Sequence, residues 1–71
     1  MADLQMGRSR LSYLLRRINM SQSEFARRLG VSDSYVSRII SGEKKLSYYR
    51  AKLSADILRC SMEDLYEWEY K

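Results

Sequence analysis

Residues 21–41, SQSEFARRLGVSDSYVSRIIS, hold two helical patterns with one glycine between them. Phe25, Ala26 and Leu29 form an apolar stripe at helical spacing; Val36, Ile39 and Ile40 form a second. Gly30 tolerates the positive φ that closes a helix. Ser21 and Glu24 have capping-box spacing, and Met20 is placed to staple against Phe25. Ser32 is the next N-cap, with Asp33 at the positive end of the following helix. The spacing therefore predicts helices over 22–29 and 33–41, the second closed by Gly42. A turn this tight lets two short helices cross steeply, so that one can lie along a surface while the other projects into it. One continuous helix could not present both faces.

The rest of the chain reads as helix too. Leu11, Leu14, Leu15 and Ile18 fall at i, i+3, i+4 and i+7, which predicts a helix over 8–18 ended by a left-handed Asn19. A fourth helix is expected over 48–58, after a basic loop at 43–47. Ser61 and Asp64 repeat the capping-box spacing and predict a fifth, with Met62, Leu65 and Tyr66 free to pack. The tail, 67–71, would extend that helix or fray. The expectation is an all-α, compact five-helix fold: a short N-terminal arm at 1–7, one domain at 8–66, and an acidic, aromatic tail at 67–71. The absence of proline among 71 residues suits such a bundle.

Charge narrows the partners. Residues 8–52 carry eleven Arg or Lys against three acids, a balance of +8, whereas residues 61–71 sum to −3. A basic body suggests a polyanion; a solvated face that binds nothing is the alternative on charge alone. The chain has no His, and Cys60 is its single cysteine, so neither a disulfide nor a cysteine–histidine zinc site is expected. No cofactor or metal is expected, and no acid/base pair suggests an enzyme. With no apolar run of membrane-spanning length and no signal-peptide core, the expectation is a cytoplasmic protein without a membrane partner or small-molecule substrate.

Residues 22–41 resemble the helix-turn-helix unit of the phage repressor and Cro proteins, the XRE family. Ala26, Gly30, Val36 and Ile39 occupy its small, glycine and two apolar positions. Asn19-Met20-Ser21-Gln22 resembles the opening "G-L-S-Q" of the unit, and residues 58–65 resemble its "L-G-V-S-x-D-E-L" ending. The resemblance spans residues 8–66 and implies a lambda-repressor-like DNA-binding domain. Four departures stand out. Leu15 and Ile40 replace a partly buried Arg–Glu pair, an exchange that packed side chains can make neutral or stabilising. Leu46 and Ser47 occupy a region that usually has proline, and Arg59 replaces a glycine.

By family position, Asp33, Ser34, Ser37 and Arg38 are the candidate base readers. Arg38 has the chemistry for a bidentate contact to guanine O6 and N7. Asp33 either accepts from cytosine N4 or caps its helix. Gln22 resembles the family's phosphate-clamping glutamine, and Ser21 either shares that work or only caps. Arg10, Arg27, Arg28, Lys44 and Lys45 are candidates for phosphate contacts. Tyr35 reaches the backbone or a thymine methyl, or packs. Family members usually dimerise, and Leu53, Ile57, Tyr66, Trp68 and Tyr70 are the candidate dimer residues, with core packing as their alternative. The resemblance implies a sequence-specific regulator of double-stranded operator DNA, nucleoid-associated and homodimeric. A Cro-like switch or compact repressor from a phage or mobile element fits best, since the chain leaves no room for a sensing domain. The rival readings are a protein-interaction module, such as an antirepressor or assembly factor on the same fold, and an RNA-binding protein, for which no motif is present.

Overall fold

Four α-helices, one 3-10 turn and a two-stranded antiparallel sheet make up the structure, a computed structural model that describes residues 3–70. In chain order these are β1 (Leu4–Ser9), α1 (Leu11–Arg17), α2 (Gln22–Leu29), α3 (Asp33–Ser41), α4 (Tyr48–Leu58), the turn Met62–Leu65 and β2 (Tyr66–Tyr70).

Serines start three of the helices. The hydroxyls of Ser21, Ser32 and Ser47 accept from the amides of Glu24, Tyr35 and Arg50 at 3.1, 3.1 and 3.3 Å. This satisfies one of the orphan donors in each first turn. Helices α1, α2 and α4 stop in a common way. Asn19, Gly30 and Arg59 adopt left-handed backbone, with φ of 56, 81 and 57°. The next amides, of Met20, Val31 and Cys60, then bond back to the carbonyls of Leu15, Ala26 and Ala55 at 2.9, 3.0 and 3.0 Å. This is the Schellman closure, in which the residue after the left-handed one is apolar and turns inward. Met20, Val31 and Cys60 accordingly pack against the core. Arg59 makes the turn without the glycine its family position usually carries.

The core lies between the helices. Leu11, Leu14 and Leu15 of α1 meet Phe25, Ala26 and Leu29 of α2, Val36 and Ile39 of α3, and Leu58 of α4; Leu65 and Tyr66 close one end. Ile40 packs against this cluster, so the Leu15–Ile40 departure is accommodated as apolar packing. Ser54 is fully buried beside it, and its hydroxyl finds no hydrogen-bond partner among the described residues.

The structure corrects the all-α, five-helix expectation. Ser61 does begin a helical turn, with the Asp64 carboxylate accepting from the Ser61 amide at 3.2 Å. The turn ends after Leu65, and the chain then becomes β2. Tyr66, Trp68 and Tyr70 alternate with Glu67 and Glu69, a period of two that suits a strand and not a helix. The strand's partner is the N-terminal segment. Leu4, Gln5 and Met6 pair with Tyr70, Glu69 and Trp68, and Ser9 pairs with Tyr66. Arm and tail therefore hold one another, apart from residues 1, 2 and 71, which lie outside the described residues. The register slips between Met6 and Ser9, where Gly7 and Arg8 face Glu67 as a bulge. A Cβ on Gly7 would meet the Glu67 carbonyl oxygen at 3.1 Å, so any side chain there would push the facing strand back by a few tenths of an ångström. Helix α1 correspondingly starts at Leu11 and not at residue 8, since Arg8 and Ser9 belong to β1.

Candidate nucleic-acid interface

Helix α3 has a buried stripe and an exposed side, with Tyr35 and Ile40 half-buried between them. Val36 and Ile39 face the core, while Ser34, Ser37 and Arg38 lie off that stripe in solvent. The Gly30 turn carries this polar side away from α2. The structure thus brings three of the four predicted readers onto one exposed helical face. Asp33 is exposed but engaged: its carboxylate accepts from the Ser23 hydroxyl at 2.9 Å, which ties the start of α3 to α2. Arg38 is also engaged, its Nε lying 3.3 Å from a Glu43 carboxylate oxygen.

The predicted phosphate contacts separate into two groups. Three arginines are held by acids of the chain itself. Arg10 donates to the Asp64 carbonyl at 3.0 Å, lies 3.8 Å from its carboxylate, and stacks over Tyr13. Arg27 and Arg28 both grip the Glu24 carboxylate, at 2.6 and 2.7 Å. Glu24 therefore does not return the capping bond to the Ser21 amide expected from the sequence; two guanidinium groups outcompete one amide for its oxygens. These hydrogen bonds, from Arg27 and then Arg28, hold the Glu24 carboxyl down at a pKa of about 2.

The second group is exposed and makes no ion pair among the described residues. It comprises Lys44 and Lys45, just past α3, and Gln22 on the first turn of α2. Gln22 shares a shallow depression with Ser12 and Arg16, an exposed arginine to which the sequence reading gave no role. Tyr35 is half-buried at the edge of this region. Its ring lies beneath the Arg50 guanidinium, 4.8 Å from the ring centre, and the Lys44 ammonium, at 5.8 Å. Arg50 was likewise unassigned; only the fold brings α4 beside Tyr35. Ser21 spends its hydroxyl on the cap.

The dimer candidates do not share one surface. Leu53 and Ile57 are half-buried against the core. Ile57 lines a depression with Ile18, Met20 and Arg59. Tyr66 is buried, its hydroxyl accepting from the Leu46 amide at 3.2 Å. Trp68 and Tyr70 are 45% and 74% exposed on the same face of the sheet as Leu4 and Met6. With Tyr48 they line an apolar groove of about 630 Å³.

The helix-turn-helix family model matches residues 11–65. The chain is an XRE-type helix-turn-helix protein. Membership assigns it to a binding architecture and not to an enzyme family. The master regulator of biofilm formation SinR, in a crystal structure with DNA, is 26% identical with a TM-score of 0.71; the match covers 79% of this chain and 90% of that one. The transcriptional regulator VanUg superposes with a TM-score of 0.71 at 20% identity, over 96% of this chain and 89% of that one, and shares the fold. No match is found among curated protein sequences. Among the described residues of this helix-turn-helix protein, no cluster of His, Cys, Asp or Glu could hold a metal ion, and no helix is long and apolar enough to cross a membrane. Burial pushes the Cys60 thiol above its ordinary pKa, so it stays protonated at neutral pH.

Proposed function

We propose that this protein is a sequence-specific regulator of transcription that binds double-stranded operator DNA through α3. The observation that carries the reading is the exposed stripe of Ser34, Ser37 and Arg38 on a helix-turn-helix whose opposite side is locked in the core. Arg38 reads guanine, the two serines read neighbouring base edges, and Asp33 serves chiefly to join α2 and α3. Gln22, Lys44 and Lys45 contact phosphates and set register. The presence of DNA in the SinR structure supports duplex DNA as the partner.

The operator-bound form is a homodimer, which places two copies of α3 about 34 Å apart along the duplex. Its contact is the sheet face bearing Trp68 and Tyr70, whose exposed rings suit the apolar centre of an interface. Leu53 and Ile57 contribute through the core alone. Occupation of a promoter would exclude polymerase, the action of a compact Cro-like repressor of phage or mobile-element type acting in the cytoplasm.

Selection of bound duplexes from a random pool, with sizing at the same concentration, tests the proposal. A palindromic consensus recovered by a dimer is the expected result. Recovery of no consensus, or of unpaired half-sites by a monomer, would refute the specific and the dimeric parts respectively.

A further inference from the structure

Part of the positive charge is already paired within the chain. Arg10, Arg27, Arg28, Arg38 and Lys52 each lie within ion-pair distance of a carboxylate. Lys44 and Arg50 do not, among the described residues. They come from different elements, the loop after α3 and the first turn of α4, yet both are drawn over the ring of Tyr35. Tyr35 is itself fixed, since its side chain packs against the hydrophobic core. Tyr35 and Arg38 are three residues apart on α3 and so are surface neighbours.

Two uncompensated positive charges gathered on one ring repel each other, and an anion between them would relieve that repulsion. A guanidinium stacked on a ring keeps its in-plane N–H donors free, and these match a phosphate bidentately. The ring also restricts a long side chain before any ligand arrives, which lowers the ordering cost of binding. We infer that Arg50 and Lys44, mounted on the Tyr35 ring, form a clamp for one backbone phosphate beside the base-reading stripe, with Tyr35 as the positioning residue. The inference rests on the duplex-binding reading and adds to it a contact from α4. The clamp carries no sequence information; it sets how far α3 is seated in the groove.

The test is fluorescence anisotropy with random-sequence duplex DNA and with the selected operator, each titrated over a range of salt concentrations. Arg50→Ala lowers the slope of log K against log salt by about 1, equally on both duplexes. Tyr35→Phe keeps the ring face and behaves as the original protein. Tyr35→Leu weakens binding to both duplexes, but adds nothing when Arg50 and Lys44 are already alanine. Circular dichroism melting accompanies each variant, and the Arg50→Ala result stands if Tyr35→Leu fails to fold. An unchanged slope for Arg50→Ala, or a full loss from Tyr35→Leu in the double-alanine background, overturns the clamp while leaving duplex binding intact. Failure of the unmodified protein to bind any duplex would overturn both.

Discussion

Across the C-terminal end of α3, Arg38 Nε lies 3.3 Å from a Glu43 carboxylate oxygen, so the proposed guanine reader is tethered by an acid of its own chain. Both side chains are more than half exposed, 54% and 65%, and an exposed pair is worth only about 0–1 kcal/mol. The tether orients Arg38 yet yields readily to a base. Glu43→Gln removes a negative charge beside the phosphates and should tighten binding to all duplexes by up to about fivefold, with base preference unchanged. Arg38→Ala should instead relax the preference at one base pair by about 1–3 kcal/mol, whereas Lys44→Ala weakens matched and random duplexes alike. Competition titrations against matched and single-mismatch duplexes separate these outcomes. Equal effects of Arg38→Ala and Lys44→Ala on both DNAs would refute the division of roles.

Gly30 and Arg59 occupy the same left-handed backbone region with opposite side-chain suitability. No atom lies within 4 Å of a Cβ built on Gly30, so Gly30→Ala suffers only the conformational cost of about 1–2 kcal/mol. Arg59→Gly removes that cost but loosens the unfolded chain, for a net gain of about 0.5–1 kcal/mol. Thermal melts should shift in opposite directions, by about 4–8 °C per kcal/mol in a domain of this size.

Ser54 presents a buried hydroxyl without a partner among the described residues. Desolvation of that group is uncompensated. Ser54→Ala should raise stability by about 1 kcal/mol in denaturant unfolding. A loss of stability would show that the hydroxyl is satisfied in solution.

The Glu24 carboxylate, gripped by Arg27 and Arg28, has its pKa lowered from 4.5 to about 2. A depressed folded-state pKa stabilises the fold above pH 4.5, and the contribution disappears as pH falls toward 2. Asp64 shifts in the same direction, chiefly because the Ser61 backbone amide donates to it. Melting temperature should therefore fall through this acid range. In Glu24→Gln the fall should be shallower, with the difference between the two proteins vanishing near pH 2. Parallel curves for the two proteins would contradict the pairing.

Trp68 and Tyr70 project from the same sheet face, and Trp68 is oriented by donation from its indole N–H to the Glu63 carbonyl at 2.8 Å. Replacing both by serine should convert the proposed dimer to a monomer in sedimentation while leaving the far-ultraviolet spectrum helical. Operator affinity should drop with it, because two linked half-sites bind far more tightly than one. A double variant that remains dimeric would move the interface elsewhere.

The helix-turn-helix was legible in the sequence because its instructions are local. Ser21, Gly30, Ser32 and Gly42 each act on backbone within a few residues, and the stripes of Phe25, Ala26 and Leu29 and of Val36 and Ile39 repeat every turn. The terminal sheet was not, although the alternation of Tyr66, Trp68 and Tyr70 lies in plain view. A strand is stable only with a partner, and the partner of Tyr70 is Leu4, at the other end of the chain. The local capping signal of Ser61 and Asp64 pointed to a helix, and it yields one turn before pairing with β1 takes over. Charge behaves likewise. Helical spacing alone places Arg27 and Arg28 beside Glu24, but only the fold decides that Arg10 meets Asp64 and that Arg50 lies over Tyr35 with an open charge. Electrostatic pairing depends on distances through space, and residue spacing along the chain sets those only within a single helix.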